Sequence, residues 1–157
     1  MNTATEKLQA KYPDAIVDIY EFRGDTTVTV KSDLLVEICT FLRDDPETSF
    51  RYLSSVSAVD YLPGSYLPAS PRFAAVYHLY SHQFKNRIAL KAFCPNDENP
   101  ALPSVVQVWS TADWHEREAY DLMGIKFIGH PDLRRILTPP ECEGSYPLRK
   151  DYPQEGF

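Results

Sequence analysis

Proline limits what this chain can build more than any other residue. It fixes φ and has no N–H to donate, so helix interiors and central strands must lie between prolines. The sequence holds 13 prolines against 6 glycines in 157 residues. Five of them, Pro131, Pro139, Pro140, Pro147 and Pro153, fall within the last 27 residues. The expected partition is an α/β domain over residues 1–128, then a short helix and an extended tail over residues 129–157. Chain length fits one domain and excludes a multidomain enzyme. A formal net charge of −6 with 43% hydrophobic residues fits a globular unit with a core and argues against a nucleic-acid partner, which normally meets a basic surface.

Within the first part, residues 5–11 form a helical candidate stopped by Pro13. Residues 16–22 and 26–31 read as strands joined across Arg23, Gly24 and Asp25, with Val28 and Val30 facing the core. Ser32 is placed to cap a helix over residues 33–44, on which Leu34, Leu35, Ile38, Cys39, Phe41 and Leu42 fill one arc. Further strands are expected at residues 52–60, 72–82, 87–94 and 104–109, with an aperiodic, proline-containing loop at 62–71. Thr111 is the expected cap of a helix from Ala112 to Met123 that Gly124 ends. After residues 125–128, Pro131 opens a short helix over 131–137, stopped by Pro139 and Pro140. This order gives an α+β fold: a two-layer α/β sandwich with a mixed or mostly antiparallel sheet, followed by an extended proline-rich C-terminal segment.

Cys39, Cys94 and Cys142 lie about 50 residues apart and have no ligand spacing, so neither a disulfide framework nor a zinc or iron–sulfur site is announced. No basic, apolar leader and no run approaching the ~20 apolar residues of a membrane span is visible. The densest polar cluster surrounds His115 and Glu116, but position 119 is alanine, so the two-histidine zinc motif fails. His78 and His82 read as strand, where four residues span ~13 Å, and cannot share one metal. Asp113, Arg117 and Asp121 follow i, i+4 spacing and read as a solvated ion-pair ladder. Glu116 falls in the apolar arc, where a carboxylate needs a cation or several donors. Arg134 and Arg135 are the expected cations, pinning the C-terminal segment to the helix. Trp114 lies on the polar side, either as an interface anchor or covered by the chain's own tail. His130, after Gly129, is expected to hydrogen-bond locally. A free-standing hydrolase or lyase using Glu116, His115 and Glu118 is the alternative from chemistry alone. No phosphate-cradling or nucleophile-elbow motif supports it.

The stretch from Glu116 to Tyr152, about a quarter of the chain, is more specific. Glu116, Arg117, Glu118, Asp121, Gly124, Ile125, Phe127 and Gly129-His130-Pro131 resemble the signature of the C-subunit family of proton-pumping NADH:quinone oxidoreductase, respiratory complex I. Arg134-Arg135-Ile136-Leu137 and Pro147-Leu148-Arg149-Lys150-Asp151-Tyr152 continue the match. The resemblance implies a subunit of the peripheral arm with no active site, flavin, iron–sulfur cluster or quinone site of its own, those cofactors belonging to partner subunits. It implies packing against the D subunit and the neighbouring B, I and G subunits, with NADH and quinone met only through the complex. Trp114, Glu116, Arg117, Glu118, Asp121, His130, Arg134, Arg135, Arg149, Lys150 and Asp151 become candidate partner-binding or tail-pinning residues. The implied location is the cytoplasmic face of a bacterial inner membrane, touched only indirectly; the lack of a transit peptide favours a bacterium. One departure stands out: Ser145 and Tyr146 lie between Gly144 and Pro147, where the family usually has a single residue, often histidine.

Overall fold

The computed structural model describes residues 3–62 and 71–153. Most of the expected loop at 62–71, and the last four residues of the tail, lie outside the described residues. The elements are α1 (Thr3–Lys11), β1 (Ile16–Phe22), β2 (Asp25–Val30), α2 (Leu35–Asp44), β3 (Tyr52–Asp60), β4 (Phe73–Ser81), β5 (Asn86–Phe93), β6 (Ala101–Pro103), α3 (Ala112–Met123) and β7 (Lys126–Ile128). A single-turn 3₁₀ segment precedes α2, and another occupies Pro140–Cys142.

The main sheet has the order β1-β2-β5-β4-β3. Only the β2–β5 pair is parallel; the other three are antiparallel, so the sheet is mixed, as expected for this α+β chain. Side chains alternate across a strand, so residues directly opposed share a face. Val28 opposes Leu90, Leu90 opposes Tyr77, and Tyr77 opposes Val56, which makes one buried row across four strands. Leu35, Ile38, Cys39 and Leu42 of α2 and Ala112, Ala119 and Met123 of α3 close over the same core. Each fully buried leucine or isoleucine contributes about 1.5–3 kcal/mol. Burial pushes the Cys94 thiol up to about 12 and the Cys39 thiol higher still, keeping both protonated as packing groups. A second, two-stranded parallel sheet pairs β6 with β7, the strand that follows α3 in the chain.

Three local expectations are corrected. Ser32 and Thr111 make no side-chain capping bond; the Thr111 hydroxyl instead reaches the Leu53 carbonyl at 3.5 Å. The strand expected at 104–109 does not form: the short β6 ends at Pro103, Ser104 Oγ and Val105 N–H are taken by Glu116, and residues 105–109 turn, with Val108 and Trp109 N–H on the Val105 carbonyl. The helix expected at 131–137 does not form: a turn at Pro131 and Asp132 leads into irregular backbone whose polar groups bond to side chains of α3.

Candidate functional site

Helix α3 is where the C-terminal segment fastens. Its register puts Glu116, Arg117 and Asp121 on buried sides of the helix, each less than a tenth exposed. The Arg117 guanidinium donates to the carbonyls of Arg134 and Arg135 at 3.0 and 3.1 Å. One turn on, the Asp121 carboxylate accepts the N–H groups of Ile136, Leu137 and Thr138 at 3.1, 2.7 and 2.9 Å, together with the Thr138 hydroxyl. Arg135 Nη1 completes the set at 3.1 Å from Asp121. The two side chains therefore bind consecutive carbonyls and then consecutive amides of one strand of backbone. Helical bonding of residues 134–138 is consumed by these contacts, which is the physical reason that the expected helix is absent.

Burial alone would raise the Asp121 carboxyl, but the bonds from the Thr138 hydroxyl and the three N–H groups outweigh it and hold the group at about 2. Glu116 behaves in the opposite way. It accepts Ser104 Oγ at 2.6 Å and Val105 N–H at 2.7 Å, yet its burial prevails and pushes its carboxyl above the ordinary range. The expected pairing of Glu116 with arginine is thus corrected: Arg135 goes to Asp121, while Arg134 is exposed and meets only exposed Asp132 among its side-chain partners. The expected solvated ladder is corrected too, since Arg117 and Asp121 are buried and face the tail backbone rather than each other.

His130 Nε2 lies 3.0 Å from the Asp113 carbonyl oxygen and 3.2 Å from Asp113 Oδ1, and the Asp132 N–H donates to its Nδ1 at 3.0 Å, which ties the turn after Gly129 to the first turn of α3. The terminal block returns to the other end of the helix. Leu148 N–H donates to the Leu122 carbonyl at 3.1 Å and Arg149 Nε to the Met123 carbonyl at 2.7 Å. These are the carbonyls that a helix C-terminus leaves without intrahelical partners. The Arg149 guanidinium lies 4.3 Å over the Tyr146 ring and 4.7 Å over Phe73. Gly124, at φ +76°, sits beneath them, and a Cβ there would stand 2.5 Å from Arg149 Nη2 and 2.7 Å from Tyr146 Cζ. The inserted Ser145-Tyr146 pair is part of this joint: Ser145 O accepts Arg135 Nη2 at 2.9 Å and the Tyr146 ring lies under Arg149.

Asp60 and Arg72 form a third fastening that sequence reasoning did not single out. Buried Asp60 accepts Arg72 Nε and Nη2, both at 2.8 Å, and the backbone N–H of Lys150 at 2.9 Å. Arg72 Nη2 also meets Asp151 at 2.9 Å. Burial would lift the Asp60 carboxyl, but the Arg72 and Lys150 bonds outweigh it and hold the group below the usual carboxylate range. Opposite charges at the two facing ends of the β3–β4 hairpin were the available signal. Their partnership with residues 150 and 151, some 90 positions away, had none. Ser104 and Thr138 were likewise missed.

Trp114 is 69% exposed, so the reading in which the tail covers it is corrected. Glu118 is also exposed and lines a groove of about 330 Å³ with His115, whereas Glu116 is buried against Ser104 and Val105 and does not line it. The three groups named for a hydrolase or lyase therefore do not converge on one cavity. Among the described residues no three His, Cys, Asp or Glu side chains are grouped to hold a metal, and no helix is long and apolar enough to cross a membrane.

Comparison with known proteins gives this arrangement relatives. Residues 28–157 match the family model described as the 30 kDa subunit of respiratory-chain NADH dehydrogenase. The NADH-quinone oxidoreductase C subunit of a Roseiflexus species is 47% identical over 151 residues, covering 96% of this chain and 83% of the relative. Its counterpart from Geobacter sulfurreducens is 46% identical over 155 residues, covering 99% and 91%. Among solved structures, the trypsin-resistant fragment (1-134) of Nqo5 is similar with a TM-score of 0.70 and 32% identity, covering 82% of this chain and 96% of that one. A chain of the membrane-bound sulfane sulfur reductase, an archaeal respiratory membrane complex, gives 0.73 at 27% identity, covering 96% and 84%.

Proposed function

The chain belongs to the 30 kDa subunit family of respiratory-chain NADH dehydrogenase, and from that premise we propose that it is a scaffold subunit of the peripheral arm of a proton-translocating NADH:quinone oxidoreductase. In this reading it supports electron transfer from NADH to quinone by holding the quinone-reducing module together. Catalysis belongs to the complex, and flavin and iron–sulfur clusters reside in partner subunits. The single observation that carries the reading is the use of α3: its buried Arg117 and Asp121 bond the chain's own tail backbone, its buried Glu116 bonds Ser104 and Val105 of the loop after β6, and none of the three faces a cavity where a substrate would react.

The clasped segment presents a surface. Trp114, Ile128, Leu137 and Leu148 are each more than half exposed, and large apolar groups of this kind are what interfaces cover. We assign this surface to the D subunit, with the B, I and G subunits as further neighbours, on the cytoplasmic face of a bacterial inner membrane. The trypsin-resistant Nqo5 fragment, similar to 82% of this chain, supports a division in which the α/β domain of residues 1–128 stands by itself and residues 129–157 complete the assembly. Similarity to a chain of a sulfane sulfur reductase supports the view that this fold also serves respiratory complexes of other chemistry, so the electron donor is read from partners.

The test is recovery of the tagged chain from its membranes. The expected result is co-purification of a complex that oxidises NADH with quinone, through a flavin-bearing module. A complex assembled with the chain truncated after residue 129 should lose quinone reduction; normal turnover by that truncated complex would sink the scaffold reading.

A further inference from the structure

Among the described residues strand β3 is an edge of the main sheet, paired only with β4. Beside it runs the groove that Glu118 lines. On the strand side its wall is Ser55, Val56, Ser57 and Ala58. Successive side chains of a strand point to opposite faces, so four consecutive residues line one groove only where the groove opens onto the backbone edge. The opposite wall is a single stripe of α3, His115, Glu118, Ala119, Leu122 and Met123, at the i, i+3, i+4, i+7, i+8 spacing of one helix side. Leu148, 56% exposed, also lines the groove and is held there by the bond of its N–H to the Leu122 carbonyl.

Natural sheet edges carry devices against unwanted pairing. The other edge, β1, has Asp18 and Glu21 and an irregularity at its start. β3 has one irregularity, between Leu53 and Ser55, but no charged residue and no proline from Tyr52 to Val59. Such an edge, uncharged and faced by Ala119, Leu122 and Met123 of α3, suits pairing. Glu118, exposed at the groove, has no ion-pair partner among the described residues.

We propose that the edge of β3, unpaired among the described residues, is a strand-addition site, on which an extended segment of a partner subunit pairs along residues 55–59. Alternate apolar side chains of that segment pack on Ala119, Leu122, Met123 and Leu148, and a lysine or arginine meets Glu118. The proposal rests on the reading of this chain as a complex subunit and names how it grips a neighbour.

Residue-resolved amide hydrogen exchange, on the isolated subunit and on the purified intact complex, tests it. Strand addition protects every second amide in residues 55–59, by about tenfold or more in the complex relative to the isolated chain. Absent protection, or protection without the two-residue alternation, overturns it, as a helix laid on the surface would give. Alternating protection already present in the isolated chain, with a dimeric mass, also overturns it, because the occupant is then a second copy. Glu118→Lys should lower recovery of the complex about tenfold while the melting temperature of the isolated subunit is unchanged; full recovery removes the cationic contact from the proposal. If the tagged wild-type chain recovers no complex at all, the subunit reading fails. If it recovers the complex with β3 amides unprotected, only the strand addition fails.

Discussion

Asp121 has no exposure and is surrounded by donors: three backbone N–H groups, a hydroxyl and a guanidinium. Asn at this position would turn an NH₂ toward those donors and remove the charge that they stabilise. Asp121→Asn is expected to cost on the order of 3 kcal/mol in chemical denaturation at neutral pH. The pH dependence has a definite sign. The folded carboxyl, at about 2, lies below its unfolded value, so its stabilisation is present above roughly pH 4 and is lost as pH falls toward 2. The variant should show a flatter acid limb over that window. Gly124 is the second sensitive residue, because its left-handed φ and the Arg149 guanidinium and Tyr146 ring above it both exclude a side chain. Gly124→Ala should destabilise by about 1 kcal/mol or more and shift Tyr146 fluorescence as Arg149 and Tyr146 move off the helix end.

At the scale of elements, α3 serves four attachments: its first turn to His130, its middle to Ser104 and to the backbone at 134–138, and its last turn to Leu148 and Arg149. Glu116 anchors the loop after β6 and carries a burial penalty for its charge. Its folded value is raised, so its contribution is most favourable below the ordinary glutamate range and is lost as pH rises through the folded value. Glu116→Gln can still accept the Val105 N–H. Its stability relative to the parent is expected to rise with pH above about 4.5, measured by thermal melts across pH. Glu116→Ala, which leaves Ser104 Oγ and Val105 N–H without their acceptor, should cost about 1–3 kcal/mol below the ordinary glutamate range and less as pH rises. Element boundaries were readable for α3 and the main strands because hydrophobic period and Gly124 mark them. The missing helix at 131–137 was not readable, because a local helical pattern lost to buried side chains of a different element.

For the whole molecule, Asp60, Arg72, Lys150 and Asp151 join the β3–β4 hairpin to the chain end, while Asp121 and Arg117 hold the segment between. Releasing one fastening should loosen the segment without unfolding the sheet. Asp60→Asn is expected to speed tryptic cleavage after Lys150 roughly tenfold or more in the isolated subunit, with the main unfolding transition retained; unchanged cleavage would show that the Asp60 contact does not restrain the tail. Alternating and helical apolar patterns determined the α+β layout and the core role of Cys39, since burial of one face is a local property of sequence, while the parallel β2–β5 pairing that makes the sheet mixed came from the tertiary structure. The prolines determined that the last residues would not be regular helix or central strand, and the Glu116–Tyr152 signature determined the family. Only the tertiary structure decided which charges met: that Asp121 rather than Glu116 takes the arginine, that Arg117 and Asp121 are buried, and that Trp114 stays exposed. Such pairings depend on positions brought together from 14 to 90 residues apart, and competition among several acceptors for the same donors is resolved by three-dimensional distance and burial, which one-dimensional spacing does not contain.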